Sequence, residues 1–259
     1  MNQSEKRLFL IQSLLKEQPE YRDIAIPTDT NSQRQLLRGL MNLRRPARIG
    51  TEFLQMQDAY LQDETAAKGV TDAVALTPIQ PGLYLWQGDI TTLKCDAIVN
   101  AANSGMTGCY IPNHRCIDNA IHTYAGVELR LACDELMEQQ GYPEPTGQAK
   151  ITPAFNLPCR YVLHTVGPII HGRVSRPDEK LLASCYCSCL ELAAENGLES
   201  VAFCCISTGE FRFPNEPAAE IAVRTVKEFL QKQTSVRKVI FNVFKDLDKA
   251  IYEKLLRAD

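Results

Sequence analysis

The sequence predicts an α/β protein, a central and largely parallel sheet with helices on both faces, preceded by a helical extension. Three observations carry this. From about Leu76, strand-like apolar runs alternate with helix-like runs, the pattern that builds a parallel sheet. Residues 1–75 show only helical spacing, broken by Pro19, Pro27 and Pro46. Between Asp96 and Ala125, DAIVNAANSGMTGCYIPNHRCIDNAIHTYA, a buried-type strand runs into a polar loop and then a helix, which is how an α/β protein makes a ligand site at the carboxyl end of its sheet.

In the extension (1–75), Leu8, Ile11, Leu14 and Leu15 share one helical face, with Ser4 as a possible cap. A second helix covers Ser32 to Leu43, with Leu36, Leu37, Leu40 and Leu43. A third follows Thr51, which reads as its cap, with Phe53, Leu54, Gln57 and Leu61 on neighbouring turns. Arg44, Arg45 and Arg48 read as a solvated face rather than a nucleic-acid patch. In the second unit (76–259), GLYLWQGDI gives a strand ending at Gly88-Asp89-Ile90, and DAIVNAAN the next, with Asn100 and Asn103 in the polar elbow after Val99. A helix is expected over Val127–Gln140, strands over Ala149–Thr152 and Tyr161–Val166, and a long helix over Asp178–Asn196 stopped by Gly197. Strand Val201–Ile206, helix Pro214–Gln231, strand Lys238–Phe244 and helix Leu247–Leu256 complete the alternation.

Composition narrows the function classes. Of 259 residues, 45% are apolar and 23% charged, ordinary for a globular chain. A net charge of −3 supplies no global field toward nucleic acid or anionic lipid. No apolar run reaches membrane-spanning length, and MNQSEKRLFLIQSLLKEQ has neither the apolar block nor the cleavage site of a secretory signal. Ten cysteines lie inside strand-like and helix-like patterns, which fits reduced thiols in the cytoplasm.

The loop after Asn103 carries a metal-type spacing. Cys109, His114 and Cys116, Cys-x4-His-x-Cys, offer two thiols and an imidazole within eight residues. Zinc prefers these ligands, and three of them leave a fourth position for water or substrate. No second cysteine pair suggests a closed structural site. The alternative is two core cysteines and a loop histidine, but Gly105, Gly108 and Pro112 mark an irregular loop with little core to fill; iron or a reactive thiol ranks behind zinc.

Other positions draw weaker readings. Asp89, just past a strand end, could accept a hydrogen bond from an exocyclic amine such as that of adenine, or could simply begin a turn. Ser207-Thr208-Gly209-Glu210-Phe211 follows a buried strand and could present backbone N–H groups to a phosphate or diphosphate, with Phe211 against a sugar face; a plain strand-to-helix turn reads equally well. Asp118 and His122 are four apart on one helix face. Asp118 also suits the helix dipole, and His122 and His164 read as satisfied packing histidines. Cys185, Cys187 and Cys189 cannot converge on one ion, because residues two apart on a helix point to nearly opposite sides. Cys185 and Cys189 join a core stripe, and Cys204 and Cys205 alternate across a strand.

Taken together, GDIT, DAIVNAAN, IDNAIH, TGQAKIT, YVLHTVGP and ISTGEFRFP resemble the motif series of macrodomains, modules that bind ADP-ribose. The resemblance covers roughly Leu76 to the end. It implies a three-layer α/β/α macrodomain with a central mixed, largely parallel sheet. Many macrodomains carry a glycine-rich loop where this chain has GCYIPNHRC. That departure is similar to the zinc-containing branch, ADP-ribosyl hydrolases of bacteria and some fungi with a helical N-terminal extension.

The resemblance implies roles. Asp89 and the Ile90 backbone would hold adenine. Ser207, Thr208, Gly209, Glu210 and Phe211 would wrap the diphosphate and distal ribose, although Glu210-Phe211-Arg212 replaces the small aliphatic-aromatic pair of other hydrolytic members. Asn103 would reach the distal ribose hydroxyls, and Cys116, Ile117 and Asp118 would line the same end. Cys109, His114 and Cys116 would hold Zn2+ there, and Asp118, with Asn103, would orient or activate water. The implied activity is zinc-dependent removal of mono-ADP-ribose from modified protein, with a lipoyl-carrier protein modified by a sirtuin-like transferase as partner. A non-catalytic ADP-ribose reader and an O-acetyl-ADP-ribose deacetylase are the alternatives.

Overall fold

A computed structural model describes residues 1–257. The extension forms three helices, α1 (Gln3–Glu17), α2 (Thr30–Leu43) and α3 (Thr51–Lys68). Their boundaries correct two expected caps. Asn2, not Ser4, caps α1: its side chain accepts from the Glu5 N–H while Glu5 reaches back to the Asn2 N–H, a capping box. Gly50 precedes α3, so Thr51 is its first helical residue rather than its cap. Leu10, Ile11, Leu14, Leu37, Leu40, Phe53 and Leu61 make a separate apolar cluster that also takes in Val127 from the following unit.

Arg44 corrects the solvated-face reading. It is 3% exposed, and its guanidinium grips both oxygens of Glu17 at 2.6 and 2.7 Å, while Arg45 and Arg48 remain exposed. A buried guanidinium is tolerated only when it is paired and its donors are satisfied.

The second unit begins with the short β1 (Thr71–Asp72) and continues with β2 (Leu83–Gln87), β3 (Leu93–Lys94), β4 (Ala97–Ala102), α4 (Ile117–Ala125), α5 (Val127–Gln140), β5 (Ala149–Pro153) and β6 (Tyr161–Val166). It ends with α6 (Arg176–Glu195), β7 (Ser200–Phe203), α7 (Asn215–Leu230), β8 (Lys238–Val243) and α8 (Asp246–Arg257). The main sheet has the order β2-β8-β7-β4-β6-β5, parallel except for β5 against β6; β1 and β3 pair apart from it. Helices α4 and α5 cover one face, with α1–α3 packed outside them, and α6, α7 and α8 pack together on the other. This is the expected three-layer arrangement.

β7 stops at Phe203, earlier than expected, so Cys204 and Cys205 lie just beyond the strand rather than within it. Cys185 and Cys189 are fully buried core residues, as their spacing predicts. Asn100 sits inside β4, opposite His164 of β6, rather than in an elbow after it.

The topology places the ligand end. From β4 the chain goes to β5 and β6 on one side, then crosses to β7 on the other and continues to β8. The loops leaving the carboxyl ends of β4 and β7 therefore part at a topological switch point, where open α/β sheets bind ligands.

Candidate active site and metal centre

Both loops are built of strained backbone. Five non-glycine residues among those described have positive φ. Four of them are Met106 (62°) and Asn113 (57°) in the loop after β4, and Ser207 (64°) and Arg212 (59°) in the loop after β7. Such conformations persist only where the surroundings enforce them, and they concentrate at functional sites.

The loop after β4 brings the three soft ligands together. Donor atoms of Cys109, His114 and Cys116 all lie within 4.8 Å of one another, and Cys109 Sγ is 3.6 Å from His114 Nδ1. Two such ligands on one tetrahedral zinc stand about 3.5 Å apart, so the donor set fits the ion. Cys116 is also the N-cap of α4, its Sγ accepting from the Asn119 N–H at 3.4 Å. Burial, opposed by that N–H bond, pushes its thiol up to about 12, and the neighbouring Cys109 thiol adds to the rise. A cation would reverse this balance, since metal ligation favours the thiolate. Gly108 lets the loop lie flat over α4. Its φ is +84°, and a Cβ there would meet the His122 ring at 2.8 Å.

Asp118, in the first turn of α4, lies directly beneath. Its Oδ1 accepts from Asn100 Nδ2 at 2.8 Å and its Oδ2 from Asn103 Nδ2 at 3.3 Å. It is 5% exposed, and burial pushes its carboxyl up to about 6, against the Asn100 bond, the Arg130 charge and the Asn103 bond. Asn103 also binds its own loop, donating to the Gly108 carbonyl and accepting from the Gly105 N–H. Ile117, half-buried, opens α4 beside Cys116.

His122 corrects an expectation. It is buried, but neither ring nitrogen has a hydrogen-bond partner; Nε2 stands 3.5 Å from Asp118 Oδ1. His164 is satisfied as expected, Nδ1 beside Asn100 Nδ2 at 3.2 Å and Nε2 beside Thr152 Oγ1 at 2.9 Å. His122, Cys133 and His164 form a second group of metal-type side chains. Both nitrogens of His164 are already engaged by Asn100 and Thr152, and the trio is buried.

The loop after β7 faces the loop after β4. Glu210 Oε1 is 3.5 Å from His114 Nε2. Ser207 is buried with its hydroxyl unpartnered, and its carbonyl accepts from the Phe213 N–H. Thr208 Oγ1 donates to the Cys205 carbonyl. Among the described residues, the backbone N–H groups of Gly209, Glu210 and Phe211 meet no protein acceptor. A run of free N–H groups in a loop is suited to anionic oxygen. Asp89, at the end of β2, caps the short turn Ile90–Thr92: Oδ1 accepts from the Thr91 N–H at 3.0 Å and from Thr91 Oγ1 at 2.6 Å, and Oδ2 pairs with Lys68 at 3.1 Å. Asp89 is thus a turn-former that also stands at the sheet's ligand end.

Sequence reasoning gave no role to Asn100, Arg130 or Arg38. Asn100 had a signal, an amide within an otherwise apolar strand. Arg130 and Arg38 had none, since a helical arginine reads as solvated.

A three-layer α/β/α module with paired loops at a switch point is a ligand-binding architecture, and comparison gives its family. Residues 99–222 match the Macro domain family. The chain is 58% identical over 260 residues to a protein-ADP-ribose hydrolase of Treponema medium, covering 99% of this chain and 100% of that one. It is 49% identical to the protein-ADP-ribose hydrolase of Staphylococcus aureus strain MSSA476, covering 97% and 95%. Among solved structures, an Oceanobacillus iheyensis macrodomain variant with ADPR superposes with a TM-score of 0.64 at 39% identity, covering 71% of this chain and 96% of that one. A Trypanosoma brucei macrodomain in complex with ADP-ribose gives 0.65 at 31% identity, covering 84% and 94%. The chain belongs to the Macro domain family.

Proposed function

We propose that this chain is a zinc-dependent hydrolase that removes mono-ADP-ribose from modified protein side chains and releases ADP-ribose. The observation that carries the reading is the convergence of Cys109, His114 and Cys116 above Asp118, in a loop that meets the loop after β7 through His114 and Glu210. The relatives named protein-ADP-ribose hydrolase, matched over nearly their whole length, support the reaction class. The resemblance to the zinc-containing branch supports a lipoyl-carrier protein, modified by a sirtuin-like transferase, as partner. Ten free cysteines support a reducing, cytoplasmic setting; among the described residues no helix is long and apolar enough to cross a membrane.

In this reading Asp89 and the Ile90 backbone hold adenine. The N–H groups of Gly209, Glu210 and Phe211, with Ser207 and Thr208, hold the diphosphate. Asn103 and the start of α4, Cys116 and Ile117, border the distal ribose. Zinc, when bound, would polarise a ribose oxygen and template the substrate. Asp118, gripped by Asn100 and Asn103, orients a water and accepts its proton as the oxygen bonds to C1″. The bond from C1″ to the protein side chain breaks, and the proton passes to the departing side chain.

Incubating the purified protein with a mono-ADP-ribosylated target, with and without a chelator, tests this. Free ADP-ribose should appear without chelator, stop with it, and return on adding zinc. Cys116→Ser and Asp118→Ala should each lose release. Full turnover in both variants would overturn the mechanism. Tight ADP-ribose binding without release would leave a reader, and turnover of O-acetyl-ADP-ribose alone would leave a deacetylase.

A further inference from the structure

The three metal-type ligands sit on an eight-residue chain segment, and groups from outside that segment hold each of them. Arg38 of α2 donates through Nη2 to the His114 carbonyl at 2.9 Å. The same guanidinium donates through Nε and Nη2 to Asn119 Oδ1 at 3.2 and 2.8 Å. Asn119 in turn places its backbone N–H on Cys116 Sγ at 3.4 Å, and its Nδ2 donates to the Ile111 carbonyl at 3.0 Å. Asn42, one turn further along α2 and fully buried, accepts from the Asn113 N–H at 3.0 Å and donates to Thr123 Oγ1 at 3.0 Å. Asn113 is the loop residue held at positive φ immediately before His114. Arg130 completes the ring. Its Nη1 donates to the Asn42 and Arg44 carbonyls at 2.6 Å each, and its Nη2 reaches the Cys109 carbonyl at 3.4 Å. Gly39 brings α2 close: a Cβ there would stand 3.4 Å from Asn113 Nδ2.

We propose that α2 is a working part of the metal centre, with Arg38 and Asn42 as positioning residues that hold the 109–116 loop in its ligand arrangement. A flexible loop must pay ordering entropy when it closes around an ion. A loop already tied at His114, at Asn113 and, through Asn119, at Cys116 has paid it on folding. Outer partners of this kind commonly change metal affinity about 10- to 100-fold when removed. The helical extension is then a clamp rather than a passive cover. The inference rests on the zinc reading of the three ligands, and the test separates the two.

The experiment compares the full-length chain with Arg38→Ala, Arg38→Lys and Arg34→Ala. Zinc per chain is measured after dialysis against a graded series of chelator concentrations, and the cobalt-substituted protein is followed by its thiolate-to-cobalt absorption. Arg34 lies on the same helix and pairs with Glu64 and Tyr60 of α3 rather than with the 109–116 loop, so it reports any general weakening of α2. The wild type and Arg34→Ala should hold one zinc with the same affinity. Arg38→Ala should lose zinc at about 10- to 100-fold lower chelator, with an altered cobalt band. Arg38→Lys keeps the charge but cannot fork between His114 and Asn119, so it should fall between them; it also serves if Arg38→Ala does not fold. Equal retention in the wild type and both Arg38 variants would overturn the clamp while leaving the zinc reading standing. A wild-type chain without metal would overturn the zinc reading and the clamp together.

Discussion

Ser207 shows how much a single residue is held by its neighbours. Its φ is 64°, its hydroxyl is buried without a partner, and a Cβ on Gly167 would lie 2.0 Å from its Oγ and 2.9 Å from Ile206 Cγ2. The glycine at the end of β6 therefore permits the loop after β7 to sit where it does. Gly167→Ala should displace that loop and weaken ADP-ribose binding about tenfold, about 1.4 kcal/mol by calorimetry, with metal content unchanged. Asp118 makes the complementary case. Asp118→Asn keeps the size but cannot take a proton from water; turnover should fall about 10²- to 10⁴-fold while ADP-ribose affinity is kept. That Cys109, His114 and Cys116 could share one site was legible from spacing alone, and their donor atoms do come together. The Asn100 bond to Asp118 was not legible, because it comes from a strand 18 residues earlier in the chain.

At the scale of elements, Asp96 ties three strands at the end of the sheet opposite the site. Its Oδ2 accepts from the Glu199 and Ser200 N–H groups and from Ser200 Oγ, each at 3.0 Å, and its Oδ1 from Arg160 Nη1 at 3.0 Å. Burial pushes its carboxyl up, but the Glu199, Arg160 and Ser200 donors more than offset this and hold it below the usual range. A carboxylate with a lowered folded pKa contributes stability above its unfolded value and loses it as pH falls through the folded one. Asp96→Ala should therefore cost about 1–3 kcal/mol at neutral pH, and its melting temperature should approach that of the wild type as pH drops below 3.8, the unpaired value. Most elements were readable from periodicity, Val127–Gln140 and Tyr161–Val166 to the residue. The expected strand Val201–Ile206 was too long because Cys204, Cys205 and Ile206 stay largely buried after the ladder ends, and hydrophobicity does not distinguish a buried loop from a strand.

Across the whole molecule, two buried histidines set an acid limit. Burial lowers His164 to about 3, and burial, with His164 and Arg130 nearby, takes His122 well below its ordinary 6.5. Both are neutral in the fold and bind protons once unfolded below 6.5, so unfolding takes up protons and stability falls as pH drops from there. Melting temperature should decline between about pH 6.5 and pH 4, and His164→Asn should flatten that slope whatever it does to the stability at pH 7.5. A slope unchanged by the variant would mean that His164 titrates normally.

The alternation of strands and helices, the helical extension and the clustered Cys and His donors came from the amino-acid order itself, because periodicity and donor spacing are properties of neighbours along the chain. Which residues surround those donors was decided only in three dimensions. Arg38 lies 76 residues from His114, and Asn42 lies 71 from Asn113. Such pairs meet because α2 packs on α4, and no local pattern records a contact that forms only when two separate apolar faces close on each other.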